Sequence, residues 1–259
     1  MDPFKIDSPT CISFSGGRTS AYMLWRVLQS NDGLPAEAKV CFANTGKEDE
    51  ATLRFVDRCS REWGVPITWV EYRADGFAIV TFETASRNGE PFDMLTTKKN
   101  YLPNPVARFC SQELKGKAII KATGLESDET MVGVRSDEPR RIAKLRARGL
   151  MLPLVDSGVT KLNVRAFWKT SPFDLELEEH GGVTDLGNCD LCFLKGPSQI
   201  KSIIHQDSNR AIWWAQQEEK IGGTFRSDRP SYAAMFQYAK EQVDMFDPDE
   251  EAIACFCGD

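Results

Sequence analysis

The sequence predicts an α/β protein: a Rossmann-like parallel sheet flanked by helices, followed by a helical C-terminal elaboration. Three observations carry that prediction. Short apolar runs alternate with helical runs through the first third of the chain. A glycine loop bounded by hydroxyl side chains, Ser15-Gly16-Gly17-Arg18-Thr19-Ser20, joins the first strand-like run to the first helical one. Helical spacing then dominates the last quarter. Strands separated by helices of this length favour right-handed parallel crossovers, with ligand sites at the strand C-termini.

Thr10 to Phe14 is the first predicted strand. The helix after it, Ala21 to Gln29, sets Leu24, Val27 and Leu28 at i, i+3, i+4 spacing, and Gly33 with Pro35 ends it. Lys39 to Ala43 is the second strand. Thr45 and Glu48 stand at capping-box spacing before a helix whose Leu53, Val56, Cys59 and Trp63 share one face, with Gly64 as its stop. Ile67 to Tyr72 is the third strand. Asp75 to Asn104 has little periodicity and many turn formers, and reads as an irregular insertion, a flap near the site. Glu113 to Thr123 reads as helix and Thr130 to Val134 as a short buried strand, followed by the charged run Arg135 to Arg148 and the apolar Met151 to Val155. Three more helices are predicted around Ser198 to His205, Ala211 to Ile221 and Tyr232 to Phe246. The expected organisation is a nucleotide-binding unit over 1–197, with the insertion at 75–104, and a helical region over 198–259 that ends in a cysteine-containing tail. No internal repeat or clear linker interrupts it.

The glycine loop reads as a phosphate cradle. Its glycines let the backbone turn sharply and bring N–H groups to an anion, and the following helix adds its positive N-terminal dipole at the same point. Ser15 and Ser20 offer side-chain donors. The spacing and lysine of a Walker A loop are missing, as is the G-x-G-x-x-G dinucleotide fingerprint.

At 259 residues and 41% hydrophobic content the chain can bury a substantial core. A net charge of -6 argues against nucleic-acid binding through overall charge, although Arg140 to Arg148 forms a local basic patch. No apolar run reaches the roughly 18 to 20 residues of a membrane span, and the N-terminus lacks a charged-then-apolar signal pattern, so a cytoplasmic protein without membrane contact is expected.

The eight cysteines divide by position. Cys11 and Cys41 fall in predicted buried strands and Cys59 on a helix, where cysteine serves as a small hydrophobe. Cys189-Asp190-Leu191-Cys192 is a C-x-x-C pair in a turn-like setting, with Cys110 upstream and Cys255-Phe256-Cys257 near the C-terminus. Thiolates favour zinc or an iron–sulfur cluster, and four cysteines would complete either; a redox dithiol or a purely structural pair is the other reading. The two histidines, His180 and His205, are too few for a histidine-rich site and are read as structural or surface residues. Trp213, Trp214 and Tyr232 are read as helical core ahead of base stacking.

Taken in order, these motifs resemble a known family. Ser15-Gly16-Gly17-x-x-Ser20 after a first strand resembles the pyrophosphate (PP) loop of the adenine-nucleotide alpha-hydrolase superfamily. Asn44-Thr45-Gly46-x-Glu48-x-x-x-Thr52-x-x-Phe55-Val56 resembles the second-strand motif of its phosphoadenosine phosphosulfate (PAPS) reductase branch. Gly133-Val134-Arg135-Ser136-Asp137-Glu138-x-x-Arg141 is similar to the signature of sulfonucleotide reductases and of the ATP sulfurylase small subunit. Pro153-Leu154-Val155 and Cys189-x-x-Cys192 take the places of the branch's P-L segment and cluster-binding pair. The resemblance covers roughly residues 8 to 197.

The resemblance implies a nucleotide site made of Ser13, Ser15, Gly16, Gly17, Arg18, Thr19, Ser20, Asn44, Thr45, Gly46, Gly133, Arg135, Glu138 and Arg141, with Arg135 also acting on the reacting group. It further implies a four-iron, four-sulfur (4Fe–4S) cluster on Cys110, Cys189, Cys192 and a tail cysteine, Cys255. The cysteine that sits next to the Cys110 position in plant and bacterial reductases is absent here, so the fourth ligand comes from the tail or the fourth iron stays open. Cys257-Gly258 takes the part of the reductases' terminal cysteine nucleophile, without their preceding glutamate or nearby histidine. Lys115 and Lys195 would add positive charge near the anion or cluster. Thr19 stands where ATP-cleaving members carry a magnesium-holding aspartate, which leaves Mg2+ an optional companion of the phosphates.

The implied activity is sulfur chemistry on a bound adenine nucleotide (PAPS, adenosine phosphosulfate (APS) or ATP), such as thiol-dependent sulfonucleotide reduction, with a thiol or electron donor such as thioredoxin. Two alternatives share the scaffold. One is an ATP-dependent sulfurtransferase that adenylates and thiolates DNA or tRNA, with Arg140 to Arg148 toward the nucleic acid; the other is a non-catalytic nucleotide sensor or zinc-stabilised binding protein.

Overall fold

In a computed structural model, which describes residues 2–180 and 183–241, the sheet is built from β1 (Thr10–Phe14), β2 (Ala38–Asn44), β3 (Ile67–Arg73), β4 (Gly76–Val80) and β5 (Thr130–Val132). Their order is β4-β3-β2-β1-β5. β3, β2, β1 and β5 run parallel, with Ser13 opposite Cys41 on one side and Val132 on the other, while β4 pairs antiparallel with β3. The protein is therefore α/β with a mostly parallel five-stranded sheet, as the sequence predicts.

Period-two alternation assigns the strand residues to two faces. Ile12, Phe14, Val40 and Phe42 enter the main core, with Leu24 and Val27 of α1 (Arg18–Asn31) and Leu53 and Val56 of α2 (Glu50–Trp63). Cys11, Cys41, Ala43 and Val70 enter a smaller core with Ala118 and Ile119 of α4 (Lys117–Thr123) on the other face. Cys11, Cys41 and Cys59 are buried and packed as small hydrophobes. The hydrogen bond from Cys41 and the burial of Cys11 push its thiol up, and burial does the same for Cys59. From β1 the chain thus crosses by α1 on one face to β2, and later returns by α4 on the other to β5. The gap between β1 and β5 is the switch point where ligands of open α/β sheets sit.

The stretch 75–104, expected to be irregular, instead carries β4 and α3 (Glu90–Lys99). β4 is an edge strand that buries none of its residues fully, and α3 buries only Pro91, Phe92, Leu95 and Thr96, so neither writes a clear period into the sequence. Thr45 and Glu48 do not cap α2: Asp49 does, its carboxylate accepting from Ala51 N at 2.9 Å. The predicted helix Glu113 to Thr123 divides into a π-helical stretch, Ser111–Gly116, and α4.

After β5 come α5 (Pro139–Arg146), α6 (Pro153–Asp156) and α7 (Lys161–Thr170). The sequence signalled no helix at α7, which buries only Val164 and Trp168. A short hairpin, β6 (Glu179–His180) with β7 (Val183–Thr184), precedes the cysteine turn. The helices α8 (Pro197–Gln206), α9 (Arg210–Ile221) and α10 (Tyr232–Glu241) follow. They share one core with Phe92 and Leu95 of α3 and with Leu191, Phe193 and Leu194 of the cysteine turn, so residues on both sides of position 197 build it. Trp214 and Tyr232 are buried there as core, and His205 is exposed. Among the described residues no helix is long and apolar enough to cross a membrane.

Candidate functional site

The glycine loop ends β1 and opens α1 at the switch point. Gly17 is the helix N-cap in extended backbone, and Gly16 has φ 79°, in the left-handed region. A side chain at Gly16 would bring its Cβ within 2.7 Å of Thr52 Cγ2, so α2 presses directly on the loop. Gly133, just past β5, approaches as closely from the other side: a Cβ there would lie 2.8 Å from Ser20 Cα. Ser20 Oγ donates to Gly17 O at 3.0 Å and accepts from Ser15 N at 3.1 Å, with Ser15 Oγ 2.9 Å away. The hydroxyls brace the loop, and the N–H groups of the first helical turn, which lie ahead of the helix's own hydrogen-bond ladder, are donors of the kind an anion can use.

A cavity opens on each side of this loop. One, of about 540 Å³, lies at the C-terminal ends of β1 and β5 and is lined by Ser13, Ser15, Ser20, Ile119, Val132 and Leu145 among others. Arg108, Lys115, Lys144 and Arg148 also line it. The other is a narrow cleft of about 50 Å³, lined by Ser15, Gly16, Gly17, Thr19, Thr52 and Asn188, and by Arg18, Arg135, Lys161 and Arg165.

Arg135 holds the cleft together. Its Nη1 donates to Thr19 Oγ1 at 3.2 Å and its Nε to Asp137 at 3.0 Å, while Glu138 accepts from Arg135 N at 3.0 Å and pairs with Arg141. Asp137 also accepts from Lys161 N at 3.0 Å. Burial raises the Asp137 pKa, but those hydrogen bonds and the Arg135 charge outweigh it and hold the carboxyl below its ordinary range. Glu138 and Arg141 thus support Arg135, and α5 is knitted inward at its start, while Arg140, Lys144 and Arg148 remain exposed. Arg18 points away from an anion on the loop: it forks onto Asp174 at 2.7 and 2.9 Å and donates to Leu175 O at 2.6 Å. Trp168 Nε1 donates back to Arg18 O at 3.0 Å.

The Asn44-Thr45-Gly46 segment stands apart from both cavities. Asn44 is fully buried; its amide donates to Glu71 at 2.6 Å and Ser86 O at 2.8 Å, and its carbonyl accepts from Gly46 N at 3.1 Å. Thr45 donates from both N and Oγ1 to Glu48 at 2.8 Å, and its hydroxyl lies 3.4 Å from Cys189 Sγ. The other Glu48 oxygen faces Lys115 Nζ at 3.5 Å. These residues form the wall between the sheet and the cysteine turn.

That turn is pinned from several directions. Asp190 N donates to Lys47 O at 2.8 Å, its carboxylate pairs with Lys47 at 3.2 Å, and it accepts from Trp214 Nε1 at 2.8 Å. Lys47 in turn sits 4.9 Å from the Trp213 ring centroid. Buried Lys195 donates to Asp185 O and Gly187 O, both at 2.6 Å, and so shapes the loop rather than facing a ligand. Cys189 and Cys192 are buried in this core, and Cys110 borders it from the start of the π-helical stretch. Two buried thiols on one turn suit in kind a thiolate-bound iron or zinc centre. Among the described residues, however, no group of three or more His, Cys, Asp or Glu side chains is placed to hold a metal ion. Cys255 and Cys257 lie outside the described residues.

No family model matches the chain. It is 31% identical over 208 residues to the uncharacterized nin region protein ORF290 of Escherichia phage lambda, a match spanning 73% of this chain and 67% of that protein. The chain belongs to the ORF290 family. In this ORF290-family chain the sequence motifs single out the loop, Arg135 and the cysteine turn, and pass over Glu71, Lys161, Arg165 and Asp174. Lys161 and Arg165 carried a readable signal, a basic pair at i, i+4 on a helix. Glu71 and Asp174 carried none, because the partners that tie them to the site, Asn44 and Arg18, are far away in the chain.

Proposed function

We propose that the chain binds an adenine nucleotide on the Ser15–Ser20 loop and performs sulfur chemistry on it, as an iron–sulfur-dependent PAPS reductase-like enzyme. The observation that carries this reading is the cavity of about 540 Å³ at the β1/β5 switch point, which shares Ser15 and Ser20 with the loop. Its volume and partly apolar lining suit a nucleoside. The loop N–H groups and the α1 dipole would then hold the attached anion, with Arg135 neutralising its charge from the cleft side.

Cys189 and Cys192, with Cys110 and the tail's Cys255, would hold the metal centre, and the Cys257 thiolate would attack the sulfonyl sulfur, forming an S–S bond as the S–O bond to the nucleotide breaks and the nucleotide leaves; the thiol donor would then reduce that S–S bond and release sulfite. A bound 4Fe–4S cluster would supply a redox-active, thiolate-held charge next to the nucleotide wall. Thr45, in van der Waals reach of Cys189 Sγ, links that wall to the turn. The Asn44–Glu71 network keeps the wall rigid.

Anaerobic purification followed by iron analysis and incubation with labelled PAPS, APS or ATP tests the proposal. A brown protein with about four irons that releases sulfite in the presence of a thiol donor is the expected result. A colourless, zinc-containing protein would overturn the cluster. AMP or pyrophosphate formed only when DNA or tRNA is added would move the assignment to the thiolating alternative, and binding without turnover to the sensor. Cys257→Ser should abolish sulfite release with iron retained; loss of iron would make Cys257 a ligand instead.

A further inference from the structure

We infer that the surface groove between the C-terminal ends of α1, α2 and α7 is a docking site for a partner protein, and that it takes an arginine-bearing segment of that partner. The inference does not rest on the nucleotide reading. α1 runs from the glycine loop to the groove, and its 14 residues set the two apart by about 20 Å.

The groove consists of two adjoining cavities that share Trp25 and Trp63. One, of about 250 Å³, is completed by Phe167, Pro172 and Phe173 among others, and the other, of about 360 Å³, by Leu28, Gln29 and Asp32. Trp25, Trp63 and Phe167 are only half-buried, although each packs on a neighbour. The ring centroids of Trp25 and Phe167 are 4.6 Å apart, and those of Trp63 and Phe173 5.7 Å. These contacts hold the rings in place and leave part of their surface in water.

The charge that lines the groove has one sign. α1 ends at Asn31, α2 at Trp63 and α7 at Thr170, and residues from all three ends line the cavities. A helix C-terminus leaves carbonyl groups without an intrahelical partner and carries the negative end of the helix dipole. Asp32, the C-cap of α1, adds an exposed carboxylate that makes no ion pair or side-chain hydrogen bond among the described residues. Glu62 adds a second, shared with Arg58 at 3.6 Å. Among the described residues that line either cavity there is no lysine, arginine or histidine. The cations nearest in sequence stand outside: Arg26 lies over the Phe4 ring, Arg61 pairs with Asp57, and exposed Lys169 lines neither cavity.

Aromatic surface and negative charge together select a cation with a broad, weakly hydrated face. A guanidinium stacks on indole, and its planar fork of donors matches carbonyl and carboxylate oxygens, whereas an ammonium is more strongly hydrated and has no face to stack. Two adjoining cavities seat two such side chains, which one segment of a partner chain supplies and a single small cation does not.

Titration of the 15N-labelled full chain at about 0.15 M salt with hexa-arginine, hexalysine, hexaproline and tetramethylammonium tests this. Hexa-arginine should shift the indole N–H signals of Trp25 and Trp63, assigned by replacing each with phenylalanine, and bind about three-fold more tightly than hexalysine. Asp32→Asn, which suits the left-handed backbone at φ 55°, should weaken that binding about three-fold, and Trp25→Leu, with its fold checked by circular dichroism, about ten-fold. Signals that stay in place, or folded variants that bind hexa-arginine as the wild type does, would overturn the inference and leave only general attraction to an acidic chain. Equal affinity for hexalysine or hexaproline would overturn arginine as the occupant. Tetramethylammonium binding as tightly as the peptide would make the groove a small-cation site instead, and shifts of the same signals on raising the protein concentration without peptide would assign it to a second copy of this chain.

Discussion

At Gly16 a single hydrogen atom decides whether the loop can exist. The residue combines φ 79° with a packing distance that leaves no room for a methyl group beside Thr52 and Phe42. Gly16→Ala should therefore cost about 1 to 3 kcal/mol in urea unfolding, from backbone strain and contact together, and should remove nucleotide binding. Asn44 is the second position of this kind. Asn44→Ala leaves Glu71, which is fully buried, without one of its donors, and should lower stability by about 1 to 3 kcal/mol in the same measurement. The motif drew attention to Asn44 from the sequence alone, because its residue type and spacing are distinctive. What the sequence could not convey is its partner: Glu71 and Ser86 come from other parts of the chain, so Asn44 supports the wall instead of lining a cavity.

Among the elements, those with a strong period were legible and those with a weak one were not. β1 lies where its apolar run predicts, and α1 and α2 follow from their buried faces. β4, α3 and α7 bury too little on any one face to be read. Yet α7 matters to the site, because Lys161 at its start meets Asp137 and Trp168 near its end holds the backbone of Arg18. The Asp137 junction between β5's exit and α7 is pH-sensitive by construction. Its carboxyl is held below the ordinary range, so its contribution is present above the unfolded-state value near pH 4 and is lost as pH falls through the lower folded value. Asp137→Asn should lower the urea midpoint near neutrality, where the carboxylate's contribution is present, and change it little at the acid end, so that the acid limb of the series below about pH 4 flattens. An unchanged acid limb would place the titrating groups elsewhere.

Across the whole molecule, summed charge conceals what local charge arranges. A net charge of -6 correctly steers the sequence reading away from a generally basic surface, but says nothing of arginines and lysines gathered around one loop from β5's exit, α5, α7 and the π-helical stretch. Nucleotide affinity should therefore fall as salt rises, even though the protein as a whole repels anions. Adenosine 3′,5′-bisphosphate at about 100 times its dissociation constant should stabilise the fold by about 2.7 kcal/mol, read as a rise in melting temperature. A melt that does not move with ligand would count against the site.

The pinning of the cysteine turn has an optical consequence. Trp214 donates its indole N–H to Asp190, the residue between Cys189 and Leu191, and Trp213 packs its ring edge-on against Trp214 at a centroid distance of 5.1 Å. Indole emission depends on the hydrogen bond at the ring nitrogen and is quenched by nearby iron. The two tryptophans are thus a fluorophore pair placed at that turn, and the part of the stopped-flow emission change that Trp214→Phe removes, against the background of the chain's other tryptophans, would follow any oxidation or metal loading at Cys189 and Cys192.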